Sequence, residues 1–155
     1  MTSREILSLL LRDIAARQGA NLGELDQNGR LSFLYREDIN VGLECPEDGN
    51  TLACLFADLG AVRFFRREGL FHSLLVANFL GRETGGACFG IDETKKTLVL
   101  WFRFEVNGLH SEELETILNN FLRITDQWDE RLLPGAPAEE ISITEPIEEV
   151  PGIWV

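Results

Sequence analysis

Hydrophobic residues recur along this chain with two different spacings, which predict helices and strands in a definite order. Residues 3–18 place leucines and isoleucines at a helical spacing behind a capping box of Thr2 and Glu5, so the first element is predicted to be a helix. Three runs with a period of two follow, and they occupy residues 31–35, 39–45 and 52–56. Because short polar turns separate these runs, the pattern predicts an antiparallel meander.

The second half of the chain continues with a helix, two strands and a last helix. Residues 64–80 are apolar around much of a helical circumference, so this helix needs two packing partners. Strands are predicted over residues 87–91 and 98–104, and a third helix begins at Ser111 and ends before Pro134. The order αβββαββα predicts an α+β domain in which helices flank an antiparallel sheet.

The last residues of the chain differ in composition from the rest. Residues 1–133 form the predicted domain, whereas residues 134–155 contain four prolines, five glutamates and no basic residue. This composition predicts a disordered tail. Apolar residues are nevertheless spaced among the glutamates: Ile141, Ile143, Ile147, Val150, Ile153 and Trp154. They indicate a short motif that folds on a partner or on an open sheet edge, and the alternative is a tail without a role.

The formal net charge of −12 narrows the choice of partner. No basic residue follows Arg131, and the chain before the tail has 21 acidic and 14 basic side chains, a net charge of −7. Such a body repels phosphate, which disfavours nucleic acid. A basic or mixed polar and apolar polypeptide fits better, although acidity can also serve solubility alone. No apolar run approaches the ~20 residues of a membrane helix and no signal peptide is evident, so we expect a cytoplasmic protein without membrane insertion.

No catalytic or metal-binding motif is evident in the sequence. The phosphate-loop, dinucleotide, zinc-protease and nucleophile-elbow patterns do not occur. The glycine-rich residues 85–90 lead into a strand, whereas phosphate binding needs a helix behind the loop. His72 and His110 are expected to be ordinary surface or hydrogen-bonded residues. Buried free thiols are predicted for the three cysteines, Cys45, Cys54 and Cys88. The sequence therefore predicts a binding protein without metal or cofactor.

Several strands carry apolar residues at positions that alternate with their main apolar set. These residues are Leu34, Leu55, Val99 and Trp101. An antiparallel sheet covered on one side has a polar second side. The four residues are therefore either covered by a helix or a second copy, or exposed for a partner.

Three segments resemble the core signature of the CesT-like, class I chaperones of type III secretion (the Tir chaperone family). They are residues 74–80 (LLVANFL), 85–92 (GGACFGID) and 98–100 (LVL). The element order, the length, the acidic charge and the amphipathic first helix are also similar, and the resemblance covers about residues 3–133. One departure is residues 60–63 (GAVR), where many relatives carry a proline before the second helix.

The resemblance implies a homodimer in the bacterial cytoplasm that needs no ATP. It would bind the N-terminal chaperone-binding segment of a secreted effector, in extended form along sheet edges and apolar patches, and keep it competent for secretion. The candidate effector-binding residues are Ile6, Leu9, Leu34, Leu55 and Trp101. The candidate dimer-interface residues are Leu70, Phe71, Leu74, Leu75, Val76, Phe79 and Leu80. The secretion machinery is a further candidate partner, for the tail.

Two alternatives use the same fold. One is a regulatory binding protein that sequesters a transcriptional or secretion regulator instead of an effector. The other is a YbjN-like domain without a role in secretion. Because effector genes commonly adjoin the genes of their chaperones in this family, the gene neighbourhood distinguishes these possibilities.

Overall fold

A computed structural model of the chain describes residues 1–45, 50–62 and 69–132. The elements in chain order are α1 (Ser3–Gln18), β1 (Arg30–Tyr35), β2 (Ile39–Glu44), β3 (Leu52–Ala61), α2 (Leu70–Asn78), a 3₁₀ turn (Phe79–Gly81), β4 (Cys88–Asp92), β5 (Thr97–Glu105) and α3 (Ser111–Leu132). The predicted order αβββαββα is confirmed. The predicted start of the second helix at Phe64 and the predicted tail, residues 134–155, lie outside the described residues.

The five strands form one antiparallel sheet in the order β1-β2-β3-β5-β4. Cross-strand partners fix the two faces, because residues directly opposite each other in an antiparallel pair lie on the same side. Leu43 of β2 pairs with Leu55 of β3, which in turn pairs with Phe102 of β5. A register shift interrupts the β3–β5 pairing between Asp58 and Ala61. Strands β1 and β4 are the two edges of the sheet.

Helices α1 and α3 pack together over one face of the sheet and bury the core. The N-terminus of α1 is closed by the capping box, in which the amide of Glu5 donates to Thr2 Oγ1 and the amide of Thr2 donates to Glu5. Leu7, Leu11 and Ile14 of α1 are buried. From α3 the buried apolar residues are Leu114, Ile117, Phe121, Ile124, Trp128 and Leu132. These residues and the inward side chains of the sheet form one cluster.

Strand β3 reverses the expected faces. The pattern of residues 52–56 predicted Leu52, Cys54 and Phe56 as the inward set, with Leu55 exposed on the other side. In the structure Leu55 is fully buried under the helices, as are Ala53 and Ala57. The prediction for Leu55 is wrong, because both alternating sets of this strand are apolar and periodicity then cannot tell the faces apart.

Helix α2 ends earlier than the sequence predicted. The helix stops at Asn78, two residues before the expected end at Leu80. Leu80 adopts a left-handed backbone with φ 61°, a conformation that is uncommon for a leucine and incompatible with a continuing helix. The chain turns there and enters β4.

Candidate functional site

The sheet face opposite α1 and α3, here called the open face, has no described helix over it. Its residues follow from the pairing: Ser32, Gly42, Phe56, Trp101 and Cys88 form one row across the strands, and Leu34, Asn40, Asp58, Val99 and Gly90 form the next. Leu34 is 68% exposed, and the other apolar side chains of the face are half-buried. The open face is therefore an apolar surface with polar neighbours, the kind of patch that marks an interaction site.

Gly42 shapes the open face, because the absence of a side chain there gives the Phe56 ring room to lie over the backbone. A Cβ atom at Gly42 would lie 2.0 Å from Phe56 Cζ, so the Phe56 ring covers the backbone of its cross-strand partner. The nearest atom to a Cβ at Gly90 is Trp101 Nε1, at 3.5 Å. The guanidinium of Arg103 lies 5.5 Å from the centre of the Trp101 ring, within cation–π distance. Phe56 and Trp101 thus present ring surfaces at the centre of the face.

The structure divides the predicted effector-binding residues among three places. Leu34 and Trp101 lie on the open face, at positions separated by three strand spacings, about 14 Å. Ile6 and Leu9 lie on α1, in the helix layer on the opposite side of the sheet. Leu55 lies in the core. Phe56, which stands between Leu34 and Trp101, was not predicted, because its orientation depends on which set of β3 faces the helices.

The outer edge of β1 carries backbone groups that pair with no other described strand. At Arg30 the backbone amide donates to Asp26 Oδ1 (2.9 Å) and the carbonyl accepts from the Asp26 amide (2.8 Å), so Arg30 faces away from β2. Because bonding direction alternates along an antiparallel strand, the amides and carbonyls of Ser32 and Leu34 also face outward. Within the described ranges, neither residue has a backbone partner on that side. Four backbone groups beside the exposed Leu34 side chain therefore have no backbone partner among the described residues.

The other edge, β4, is partly closed by the side chain of Asn78 at the end of α2. The Phe89 amide donates to Asn78 Oδ1 at 2.6 Å, and Asn78 Nδ2 donates to the Phe89 carbonyl at 3.1 Å. The side-chain amide thus satisfies the backbone groups of Phe89 as a neighbouring strand would. An extended partner is therefore accommodated better at β1 than at β4.

Replacing Asn78 by alanine should lower the free energy of unfolding by about 1–3 kcal/mol, since two partly buried hydrogen bonds to the Phe89 backbone are lost. Urea unfolding of the purified protein measures the change. The exposed Asn119 on α3 provides a matched control, and Asn119→Ala should change stability by less than about 0.5 kcal/mol. Equal stabilities for the two variants would show that the Asn78 side chain does not hold the edge.

The outer side of α2 forms a second apolar surface, here called the α2 patch. Its exposed residues are Phe71, Leu75, Val76, Phe79, Leu80 and, from β4, Ile91. Phe79 is 74% exposed and Leu75 69%. Leu70 is half-buried against the core and Leu74 is buried. The expectation that Leu74 is available to a partner is therefore wrong, because it packs inside its own subunit. The exposed residues of α2 and the 3₁₀ turn were all among the predicted interface residues, whereas Ile91 was not, and their role in a dimer stays a prediction.

A polar cluster fixes the end of α3 beside the β1–β2 turn. The hydroxyl of Tyr35 donates to Asp126 Oδ2 at 2.8 Å, and Arg36 Nη2 forms an ion pair with the same oxygen at 2.9 Å. Burial, followed by the hydrogen bond to Asp126, raises the pKa of Tyr35. Burial, followed by the negative charges of Asp38 and Asp126, raises the pKa of the Asp129 carboxyl. The C-terminal turns of α3 thus lie close to the end of β1.

The thiols and the possible metal ligands of the described residues show few features of a reactive site. The three cysteines are free thiols; Cys45 is buried, whereas Cys54 and Cys88 are only half-buried. Burial raises the pKa of both Cys45 and Cys54, which lowers their thiolate fraction. In the part of the chain that the structure covers, no group of three or more His, Cys, Asp or Glu side chains could hold a metal ion. No helix among the described residues is long and apolar enough to cross a membrane.

An antiparallel sheet with helices on one face, apolar groups on the other and an edge strand without a described partner is suited to binding an extended polypeptide. The family of Tir chaperone proteins (CesT) matches residues 9–129. The chain belongs to this family of type III secretion chaperones. Among curated proteins, no sequence matches the chain significantly.

Several solved structures of similar fold are complexes. The chain is 29% identical to a chain in the ExsC–ExsE complex, with a TM-score of 0.74, and the match covers 88% of this chain and 100% of that one. For the HopA1–SchA chaperone–effector complex the identity is 16% and the TM-score 0.68, over 83% and 96% of the two chains. For the ExoU–SpcU complex of Pseudomonas aeruginosa they are 20% and 0.59, over 83% and 95%.

Proposed function

We propose that this protein is a homodimeric secretion chaperone that binds the N-terminal segment of a type III secreted effector as an added strand on β1. The observation that carries this proposal is the edge of β1, where the outward backbone groups of Ser32 and Leu34 have no backbone partner among the described residues and lie beside an exposed apolar side chain. An extended segment can form main-chain hydrogen bonds there. Its alternate side chains would then lie on the open face.

The spacing of the outward backbone groups on β1 favours a client segment in extended conformation. Ser32 and Leu34 are two residues apart, so their outward groups repeat after about 6.6 Å, which fits every second residue of one extended chain. Client side chains on the open side would contact Leu34. The rings of Phe56 and Trp101 lie two and three strands away from β1, about 10 and 14 Å, so only client residues that leave the added strand and cross the open face would reach them. A client segment with alternating apolar residues fits this surface.

The relatives support a polypeptide client. HopA1–SchA is a chaperone–effector complex, and ExoU–SpcU is a heterodimeric complex from a type III secretion system. The chain of the ExsC–ExsE complex is similar to this chain in sequence as well as in fold, with 29% identity. A client of the same general kind is therefore the best candidate for this chain.

The α2 patch supports dimerisation. Five of its six exposed apolar residues lie on α2 and the 3₁₀ turn that follows it, and the sixth, Ile91, lies on the edge strand β4. A two-fold contact between two copies would cover both patches with the same residues. A stable interface buries about 800 Å² per subunit, and large side chains such as Phe71 and Phe79 provide much of that area.

The function proposed is binding without catalysis, in the cytoplasm. The net charge of −12 favours encounter with basic client segments and makes the association rate sensitive to salt. No ATP or metal is needed for an edge strand to add. The client would be released when the secretion machinery withdraws the extended segment.

The test is calorimetry with the effector encoded beside this gene. The full effector and its isolated N-terminal segment should bind with affinities within about threefold of each other, and the effector without that segment should not bind. Binding that survives loss of the N-terminal segment would overturn the proposal. A regulator of secretion genes that binds where no effector does would favour the alternative of a regulatory binding protein.

A further inference from the structure

The free edge of β1 lies close to the point where the described chain ends. Tyr35 and Arg36, at the end of β1, both contact Asp126 of α3. Leu132, the last described residue, is six residues further along the helix, about 9 Å at 1.5 Å per residue. Seven residues then precede Glu140, and they can span up to about 23 Å when extended. Residues 140–145 can therefore reach the free groups of Ser32 and Leu34.

The sequence of residues 140–145 matches that edge. Ile141, Ser142, Ile143 and Thr144 alternate apolar and polar side chains, three of them β-branched, which favours an extended strand. Ile141 and Ile143 are two residues apart and would lie on the same face of a strand. On one face of the sheet their apolar neighbour would be the half-buried Phe33, and on the other it would be the exposed Leu34. The four residues are enough to bond both outward positions of β1.

The segment between its two glutamates matches the length of the edge, and one end of the edge carries a basic residue. Glu140 and Glu145 are five residues apart, about 17 Å in a strand, and so are Arg30 and Tyr35, the first and last residues of β1. Arg36 follows Tyr35 in the turn, where its backbone is left-handed with φ 50°. The ion pair of Arg30 with Glu44 (3.2 Å) lies at the surface, whereas Arg36 pairs with the half-buried Asp126 (2.9 Å). Because an exposed ion pair contributes little, Arg30 can pair with a glutamate of the segment instead.

We propose that residues 140–145 of the same chain add to β1 as an internal strand, which an effector segment must displace. The segment would cover the free edge when no client is bound, as proteins commonly protect such edges. The displacement by client rests on the proposed function, whereas the docking of residues 140–145 does not. The consequence is a chaperone that selects clients able to compete with its own C-terminal segment.

Amide hydrogen exchange of the full-length protein without client tests the docking. Replacing both isoleucines of the segment (Ile141→Glu and Ile143→Glu) should accelerate exchange of the Ser32 and Leu34 amides by about tenfold, because the docked strand protects them. The matched control, Ile147→Glu with Ile153→Glu, adds the same charge outside the segment and should leave exchange unchanged. Identical exchange in all three proteins would overturn the docking.

Two further measurements, amide exchange on dilution and the affinity for the effector segment, distinguish the docked segment from a second copy and from a client site elsewhere. Protection of Ser32 and Leu34 that falls on dilution and persists in the Ile141→Glu, Ile143→Glu variant would assign the edge to a second copy and overturn the proposal. If the variant deprotects the edge, its affinity for the effector segment should rise by about tenfold as competition is lost. Deprotection without any change in client affinity would overturn the displacement and would place the client site away from β1.

Discussion

Replacing Leu75 and Phe79 by glutamate is expected to convert the proposed dimer into a folded monomer. Both side chains are more than two-thirds exposed in the subunit, so the changes do not disturb its core. In a dimer they would bury four unpaired carboxylates in an apolar contact, which should weaken self-association by more than about a thousandfold. Sedimentation equilibrium at micromolar concentration measures the change, and circular dichroism shows whether the subunit stays folded.

The matched control for the dimer is Leu9→Glu. Leu9 is 50% exposed on α1, in the helix layer and outside the α2 patch, so its replacement should leave self-association within about threefold of the original. Two results would contradict the assignment. One is an unmodified protein that is already monomeric at micromolar concentration, and the other is a doubly substituted protein that still forms the dimer.

A second large effect is expected at Leu34. Replacing it by aspartate should weaken binding of the effector segment by about 10- to 100-fold, because an apolar anchor beside the bonded edge is lost and a charge must be desolvated. The change should cost little stability, since the Leu34 side chain is 68% exposed. Titration calorimetry gives the affinity, and thermal unfolding gives the stability.

The control for Leu34 is the same substitution in the helix layer. Leu9→Asp places the charge on α1, away from the free backbone groups of β1, and should change client affinity by at most about threefold. An equal loss at both positions would mean that the client continues across α1, as the sequence interpretation of Ile6 and Leu9 proposed. A loss of folding in Leu34→Asp would instead assign Leu34 to the core.

The order of the elements was predictable from the sequence because hydrophobic period and turn chemistry change together along the chain. Helix α1 has a complete capping box. In β5 the predicted inward residues, Leu98 to Phe104 at every second position, are the buried ones. The faces of β3 were not predictable, because every residue from Leu52 to Ala57 is apolar. Their orientation is decided by which set packs under α1 and α3, a tertiary effect.

The candidate site was predictable only in part for similar reasons. Leu34 stood out because it is apolar between Phe33 and Tyr35, where alternation calls for a polar residue. The closure of β4 by Asn78 depends on a contact between residues eleven positions apart and leaves no local signature. The position of Phe56 over Gly42 requires the β2–β3 register, which periodicity does not supply.

The most direct test of the central claim is amide exchange of the chaperone with and without saturating effector segment. The Ile141→Glu, Ile143→Glu protein is the form to use, because its own C-terminal segment cannot mask the edge. Binding should slow exchange of the Ser32 and Leu34 amides by at least about tenfold and leave the amide of Phe89, which Asn78 already holds, unchanged. Tight binding with no protection of Ser32 and Leu34 would contradict strand addition at β1.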